Sequence, residues 1–290
     1  MVKCLTKNAL GEKGKRALGA QVPDLYQRLV GFLDPDLMRS QIVETLATCD
    51  SCAMSREHRG PRAKITYEPD LKCCTFDPWV PNFMVGAMLE DPSLSAAGLQ
   101  AVRAKMNSIE ECSPLGLRAS TKFQRRFLRK DEHEFGNRED WLCPYYDRVQ
   151  QNCGVWKYRG NVCVSFFCKS NSGARGLAFW SSLGDLLHLI ELSVMEECLV
   201  QLDFSPRQLS ELLPLIDRQT HLERRALPAI TPQESRRMWN HYDDPAEFFR
   251  KCHRIAQGLT KKDLREILGE SGERVLAQVH QRQAKLGARA

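Results

Sequence analysis

The residues with the most chemical capacity in this chain of 290 are its twelve cysteines. Eight of them fall into groups. Cys49-Asp50-Ser51-Cys52 is a C-x2-C pair, Cys73-Cys74 is vicinal, and Cys143, Cys153, Cys163 and Cys168 follow in a stretch rich in aromatics and glycine. The C-x2-C spacing lets two thiolates converge on one ion across a tight turn. In an extended segment adjacent side chains point to opposite faces, so Cys73 and Cys74 are expected to be unequal, one ligating and its neighbour serving a second role or site. Four thiolates suit zinc, and in a hydrophobic surround they equally suit an iron–sulfur cluster, with 4Fe–4S among the candidates. The competing reading is that these are buried, inert small hydrophobes. Core cysteines belong on apolar helical faces, however, and these eight do not lie on such faces.

The order of these elements resembles a known family. Cys49-x2-Cys52, Cys73-Cys74, Cys143-Pro-Tyr, Cys153-Gly-Val, Tyr158-Arg159 and Cys163-x4-Cys168 look like the YkgJ-type cysteine-cluster proteins, a zinc- or iron-chelating family. The likeness covers about residues 44–170. It implies that all eight cysteines serve a metal, and the flagellin lysine methylases, which share the module, imply an iron–sulfur cluster. The chain departs from the family pattern twice. Ala53 to Lys72 separates the C-x2-C from the vicinal pair, and the family's Arg-Pro dipeptide is Arg159-Gly160 here, which loosens a backbone that proline would fix. Arg159 falls between Cys153 and Cys163, where a guanidinium can donate to sulfur, so it is expected to support the metal without ligating it.

Other candidate chemistry is weaker. Asp185-x-x-His188-x-x-Glu191 places three potential ligands on one helical stripe, but a di-iron carboxylate site needs Glu-x-x-His on two facing helices. Asp185 and Glu191 are therefore expected to face solvent and His188 to pack with one nitrogen bonded. Gly173-Ala174-Arg175-Gly176 could cradle an anion at a helix start. A turn that redirects the chain, with Phe179 and Trp180 covering the cysteine site, explains the same residues. Arg118 to Arg138 interleaves cations with Phe123, Phe127 and Phe135. That pattern suits nucleic acid, yet a helix with Phe inward and Arg outward gives the same string, and nucleic acid is not expected. No G-x-S-x-G elbow marks a nucleophile, and no catalytic residue is assigned.

The elements that must position these groups read as mainly α, with an irregular cysteine-rich module and one short β-hairpin at most. Residues 1–21 read as a flexible basic leader. Residues 22–200 read as a helical domain carrying the module, and residues 201–290 as a C-terminal helical array. Val22 to Thr48 has the spacing of two amphipathic helices broken at Asp34-Pro35-Asp36, and Ile65 to Glu68 could be a short strand. Helices are expected over Ser93–Glu110, Ser205–Leu213, Pro232–Asn240, Pro245–Ala256 and Lys261–Lys285. Cys4, Cys112, Cys198 and Cys252 read as spare thiols.

Composition narrows the class. Hydrophobic residues are 42% and charged residues 27%, an ordinary globular balance, and the net charge of +6 is too small to argue nucleic acid by itself. No apolar h-region follows Lys3. The most apolar stretch, Gly176 to Gln201, carries Asp185, His188, Glu191, Glu196 and Glu197, which argues against a membrane span. The expectation is a cytoplasmic chain with reduced thiols that binds metal in a redox or regulatory role. The alternatives are a zinc-stapled module that meets a protein partner, or a protein lysine methylase-like enzyme.

Overall fold

A computed structural model describes residues 17–46, 52–60, 63–217 and 230–287. The chain is mainly helical with two small sheets. Residues 18–21, assigned to the leader by composition, instead form a 3-10 turn whose Leu18 is wholly buried. α1 (Asp24–Leu33) is followed directly by α2 (Pro35–Arg39), because Asp34 accepts from the amides of Asp36 and Leu37 while Pro35 fills the first turn. The second helix expected before Thr48 is therefore short, and residues 41–45 run outside any helix.

After α3 (Arg56–Arg59), Tyr67 makes only an isolated bridge to Ser55 in place of the expected strand. β1 (Val80–Pro81) leads into α4 (Asn82–Glu90), which is buried from Asn82 to Met88. α5 (Ala96–Met106) is capped by Ser95, whose side chain accepts from the Gly98 amide. β2 (Cys112–Ser113) and β3 (Gly116–Leu117) complete an antiparallel sheet of order β1-β3-β2. α6 (Thr121–Leu128) precedes the hairpin β4 (Tyr146–Asp147) and β5 (Asn152–Cys153), and α7 (Asn161–Ser165) carries Cys163.

α8 (Gly173–Gln201) is the central element, with Leu183, Leu186, Leu187, Ile190 and Val194 wholly buried. It is long and apolar enough to cross a bilayer, but half of its most apolar window is buried inside the protein, as in a core helix. α9 (Pro206–Leu212), α10 (Pro214–Asp217), α11 (Pro232–Met238), α12 (Pro245–Gly258) and α13 (Lys261–Gly287) follow. α12 lies on α4 and α13 on α8. Gly86 permits the first approach, since a Cβ there would stand 1.9 Å from the Phe249 carbonyl oxygen. One hydrophobic core thus runs from Leu18 to Val279, joining the regions expected as separate units at residue 200.

Candidate metal centre

Cys49 and Cys4 lie outside the described residues, and the ten described cysteines are all free thiols. Long-range bonds gather most of the grouped ones. The Cys143 amide donates to the Cys74 carbonyl oxygen (2.7 Å), laying the start of the third group against the vicinal pair. Lys72 donates from Nζ to the Gln151 carbonyl oxygen (3.2 Å), which brings the segment before Cys73 beside the β4–β5 hairpin. Within that hairpin Cys153 pairs with Tyr146. Its other side rests on α5, where Ser95 Oγ donates to the Gly154 carbonyl oxygen (3.1 Å). A Cβ on Gly98 would lie 2.3 Å from that oxygen, so this contact requires glycine.

A buried carboxylate holds the helix that carries Cys163. Glu191 of α8 is 0% exposed, contrary to the expectation that it faces solvent, while Asp185 is exposed as expected. Glu191 Oε1 accepts from the Asn161 amide (2.7 Å) and from the Tyr26 hydroxyl, and its Oε2 accepts from the Asn161 side chain. Its burial is explained because these donors replace water. Half-buried His188 lies with Nδ1 3.3 Å from the Asn161 side-chain nitrogen.

A second carboxylate fixes the surroundings of Cys168. Glu44 accepts from Ser170 Oγ (2.5 Å), the Asn171 amide (2.7 Å) and Trp180 Nε1 (2.9 Å). The segment leading to the C-x2-C is thereby tied to the turn after Cys168. Trp180 also packs on Phe167, with ring centroids 4.5 Å apart. Neither Glu44 nor Glu191 carries a local signal of its role, since Ser170 lies 126 residues from Glu44, and Asn161 and Tyr26 lie 30 and 165 residues from Glu191.

The thiols influence one another through charge. A hydrogen bond from the Cys74 thiol pulls Cys73 down to about 7, with the charges of Arg159 and Lys72 reinforcing it. Burial pushes Cys163 up to about 12, and the charges of Cys153 and Cys73 add to this. Burial likewise raises Cys143, helped by Asp77, Cys153 and Cys163. Cys153 is raised by burial and by Cys73. Cys168 is raised by burial, then by Cys52 and Cys73. The grouping therefore differs from sequence order. By charge, Cys73 acts on Cys153, Cys163 and Cys168, Cys143 feels Cys153 and Cys163, and Cys52 acts on Cys168.

By surface area Cys163 is exposed, and Cys73, Cys143 and Cys153 are half-buried. Solvent thus reaches these thiols while the protein around them sets their titration. Among the described residues no three His, Cys, Asp or Glu side chains stand close enough to hold a metal ion between them. The donor set itself fits a soft metal: several thiols from separate segments, none spent in a disulfide among the described residues.

Arg159 donates from Nε to the Trp156 carbonyl oxygen (3.2 Å) and lies 3.4 Å over the Trp156 ring. From there its charge lowers the Cys73, Cys153 and Cys163 thiols. Deeper in, Lys105 Nζ donates to Asp77 Oδ2 (2.7 Å), Glu111 Oε1 (2.9 Å) and the Arg118 carbonyl oxygen (2.8 Å). The expected solvated face of Arg118 to Arg138 is present at Arg126, which pairs with Asp140 outside while Phe127 packs on Phe76 and Trp141. Arg118 is the exception, 2% exposed, its guanidinium without a hydrogen-bond partner among the described residues.

The remaining described cysteines belong to the hydrophobic core. Cys112 is buried in β2, which pushes its thiol up to about 12. Cys198 and Cys252 are wholly buried, and Cys198 Sγ donates to the Cys252 carbonyl oxygen (3.3 Å). Comparison with protein-family models, with curated proteins and with solved structures found no match.

Proposed function

We propose that this chain binds metal through cysteine thiolates and serves a redox or regulatory role as an iron–sulfur protein. The observation that carries the reading is the convergence of separate segments: the Cys143 amide bonds the Cys74 carbonyl, Lys72 bonds the hairpin of Cys153, and Cys73, Cys143, Cys153 and Cys163 are free thiols that solvent reaches. Cys52 and Cys168 extend the donor set, and the motif order that resembles the YkgJ-type cysteine-cluster family supports the same reading. When bound, the cluster would supply one-electron chemistry tuned by its surroundings. The chain's own residues do the rest. Glu191 anchors the helix of Cys163, Glu44 anchors the turn of Cys168, and Arg159 offsets the negative charge that gathered thiolates carry.

Metal analysis combined with an absorption spectrum on anaerobically purified protein tests this. The expected result is iron with inorganic sulfide and a visible band that bleaches on reduction. Stoichiometric zinc with no visible band would replace the redox reading by a zinc-stapled protein-interaction module. Absence of both metals from protein purified with its thiols reduced would overturn metal binding itself.

A further inference from the structure

α6 sorts its residues onto two opposite faces. Thr121, Phe123, Gln124, Phe127 and Leu128 are buried or half-buried. Phe123 stacks on Phe127 with ring centroids 5.6 Å apart, and Phe127 is closed in by Phe76 (5.1 Å), Trp141 (5.7 Å) and Phe135 (6.2 Å). Lys122, Arg125, Arg126 and Arg129 fall at i, i+3, i+4 and i+7, which places them together on the other face. Lys122, Arg125 and Arg129 are exposed, and their side chains have no ion-pair or hydrogen-bond partner among the described residues. No carboxylate lies between Ala119 and Lys130 in the chain. The carboxylates that follow are engaged elsewhere. Asp140 holds Arg126 and Arg138, Glu134 holds Arg138 (2.6 Å), and Glu139 holds Arg148 (2.5 Å). Asp131 accepts from the His133 amide (2.8 Å), and Glu132 stands 3.6 Å from the His133 ring, beyond the end of the helix.

We propose that this face of α6, with Lys122, Arg125 and Arg129 around the paired Arg126, docks on the phosphate backbone of duplex DNA. The inference is independent of the metal. The two faces together select the occupant. Single strands are held largely by bases stacking on open aromatic rings, and Phe123 and Phe127 are spent on each other and on the interior. A helix lying in a membrane surface must bury apolar side chains in the bilayer, and those of α6 are turned inward. What remains outside is cationic, a face that neutralises phosphates without reading bases. The wide major groove of B-form DNA admits a helix, whereas the deep, narrow groove of duplex RNA does not. The net charge of +6 gave no reason to expect nucleic acid. The reason is local: these cations share one face and three of them lack a counter-charge.

The test uses the full chain as purified and a labelled DNA duplex of about 20 base pairs, read by fluorescence anisotropy from about 50 mM salt upward. Binding should weaken with salt, with a logarithmic slope of about 3. The triple variant Lys122→Gln, Arg125→Gln, Arg129→Gln should weaken binding by about tenfold or more and flatten that slope by about 2–3. A control triple, Arg207→Gln, Lys262→Gln, Arg274→Gln, removes the same charge from other exposed positions and should bind as the unaltered chain does. If the first triple fails to fold, Arg125→Gln alone should still flatten the slope by about 1. No binding of the duplex at about 50 mM salt, or equal losses in the two triples, would overturn the proposal. Tighter binding to phosphatidylserine vesicles or to polyglutamate than to the duplex would overturn DNA as the occupant.

Discussion

A cysteine ligates when its sulfur can be reached and its charge can be balanced, and its neighbours decide both. Cys198 and Cys252 fail the first condition, since helices close over them completely. Cys112 fails it too, and burial holds it as a neutral thiol. Cys73, Cys153 and Cys163 meet both conditions, with Arg159 acting on all three. Replacing Cys73, Cys143, Cys153 or Cys163 by Ser should each lower metal per chain sharply, and Cys52 or Cys168 should follow. Cys112→Ser, Cys198→Ser and Cys252→Ser should keep full metal at a cost of about 1–2 kcal/mol in a thermal melt. If Cys198→Ser stripped the metal as thoroughly as Cys153→Ser, the site would have to reach into the helical core. Arg159→Ala should weaken metal retention more than Arg126→Ala, whose guanidinium pairs with Asp140 at the surface. Equal metal content in these two variants would remove the role assigned to Arg159.

At the scale of elements, α7 is too short to hold its own conformation and depends on what anchors its start. Glu191 is that anchor. Glu191→Ala would strip the acceptor from the buried Tyr26 hydroxyl and the Asn161 amide together, and should cost about 3 kcal/mol or more. It should also loosen Cys163, so metal loss on dilution into chelator should quicken. Unchanged off-rates would mean that α7 is held by other contacts. This dependence also explains what sequence reading could recover. α9, α11 and α12 were legible as helices over Ser205–Leu213, Pro232–Asn240 and Pro245–Ala256, and the structure shows them capped by Ser205, Thr231 and Asp244 with a proline following each, a signal decided within a few residues. The cysteines themselves were legible as ligand types. Their grouping was not, because it depends on bonds such as Cys143 to Cys74 and Lys72 to Gln151, which no local pattern announces. The two-residue strands were missed for the same reason: Val80 pairs with Leu117, far along the chain.

At the scale of the molecule, the C-terminal helices and the cysteine-rich segment lean on different supports. α12 and α13 pack on α4 and α8, and Arg28 of α1 donates to the Gln257 carbonyl oxygen (2.7 Å) at the end of α12. His280 of α13 meets Asp34 at 2.6 Å. The helix packing buries apolar core, the two polar contacts stand at its surface, and none of them needs a metal. Residues 129–168, by contrast, hold one two-stranded hairpin, two 3-10 turns and the five residues of α7, with few wholly buried apolar groups. Such a segment gains little from burial alone, so metal binding would supply much of its folding free energy. Chelation should therefore expose residues 129–168 to protease first, with cleavage at sites such as Arg148 and Lys157, while a fragment containing α8, α12 and α13 persists. Limited proteolysis read by mass spectrometry, with and without chelator, checks the order. Simultaneous cleavage in α12 and in the 129–168 segment would mean that this segment and the core unfold as one unit, and that the metal stabilises the whole molecule.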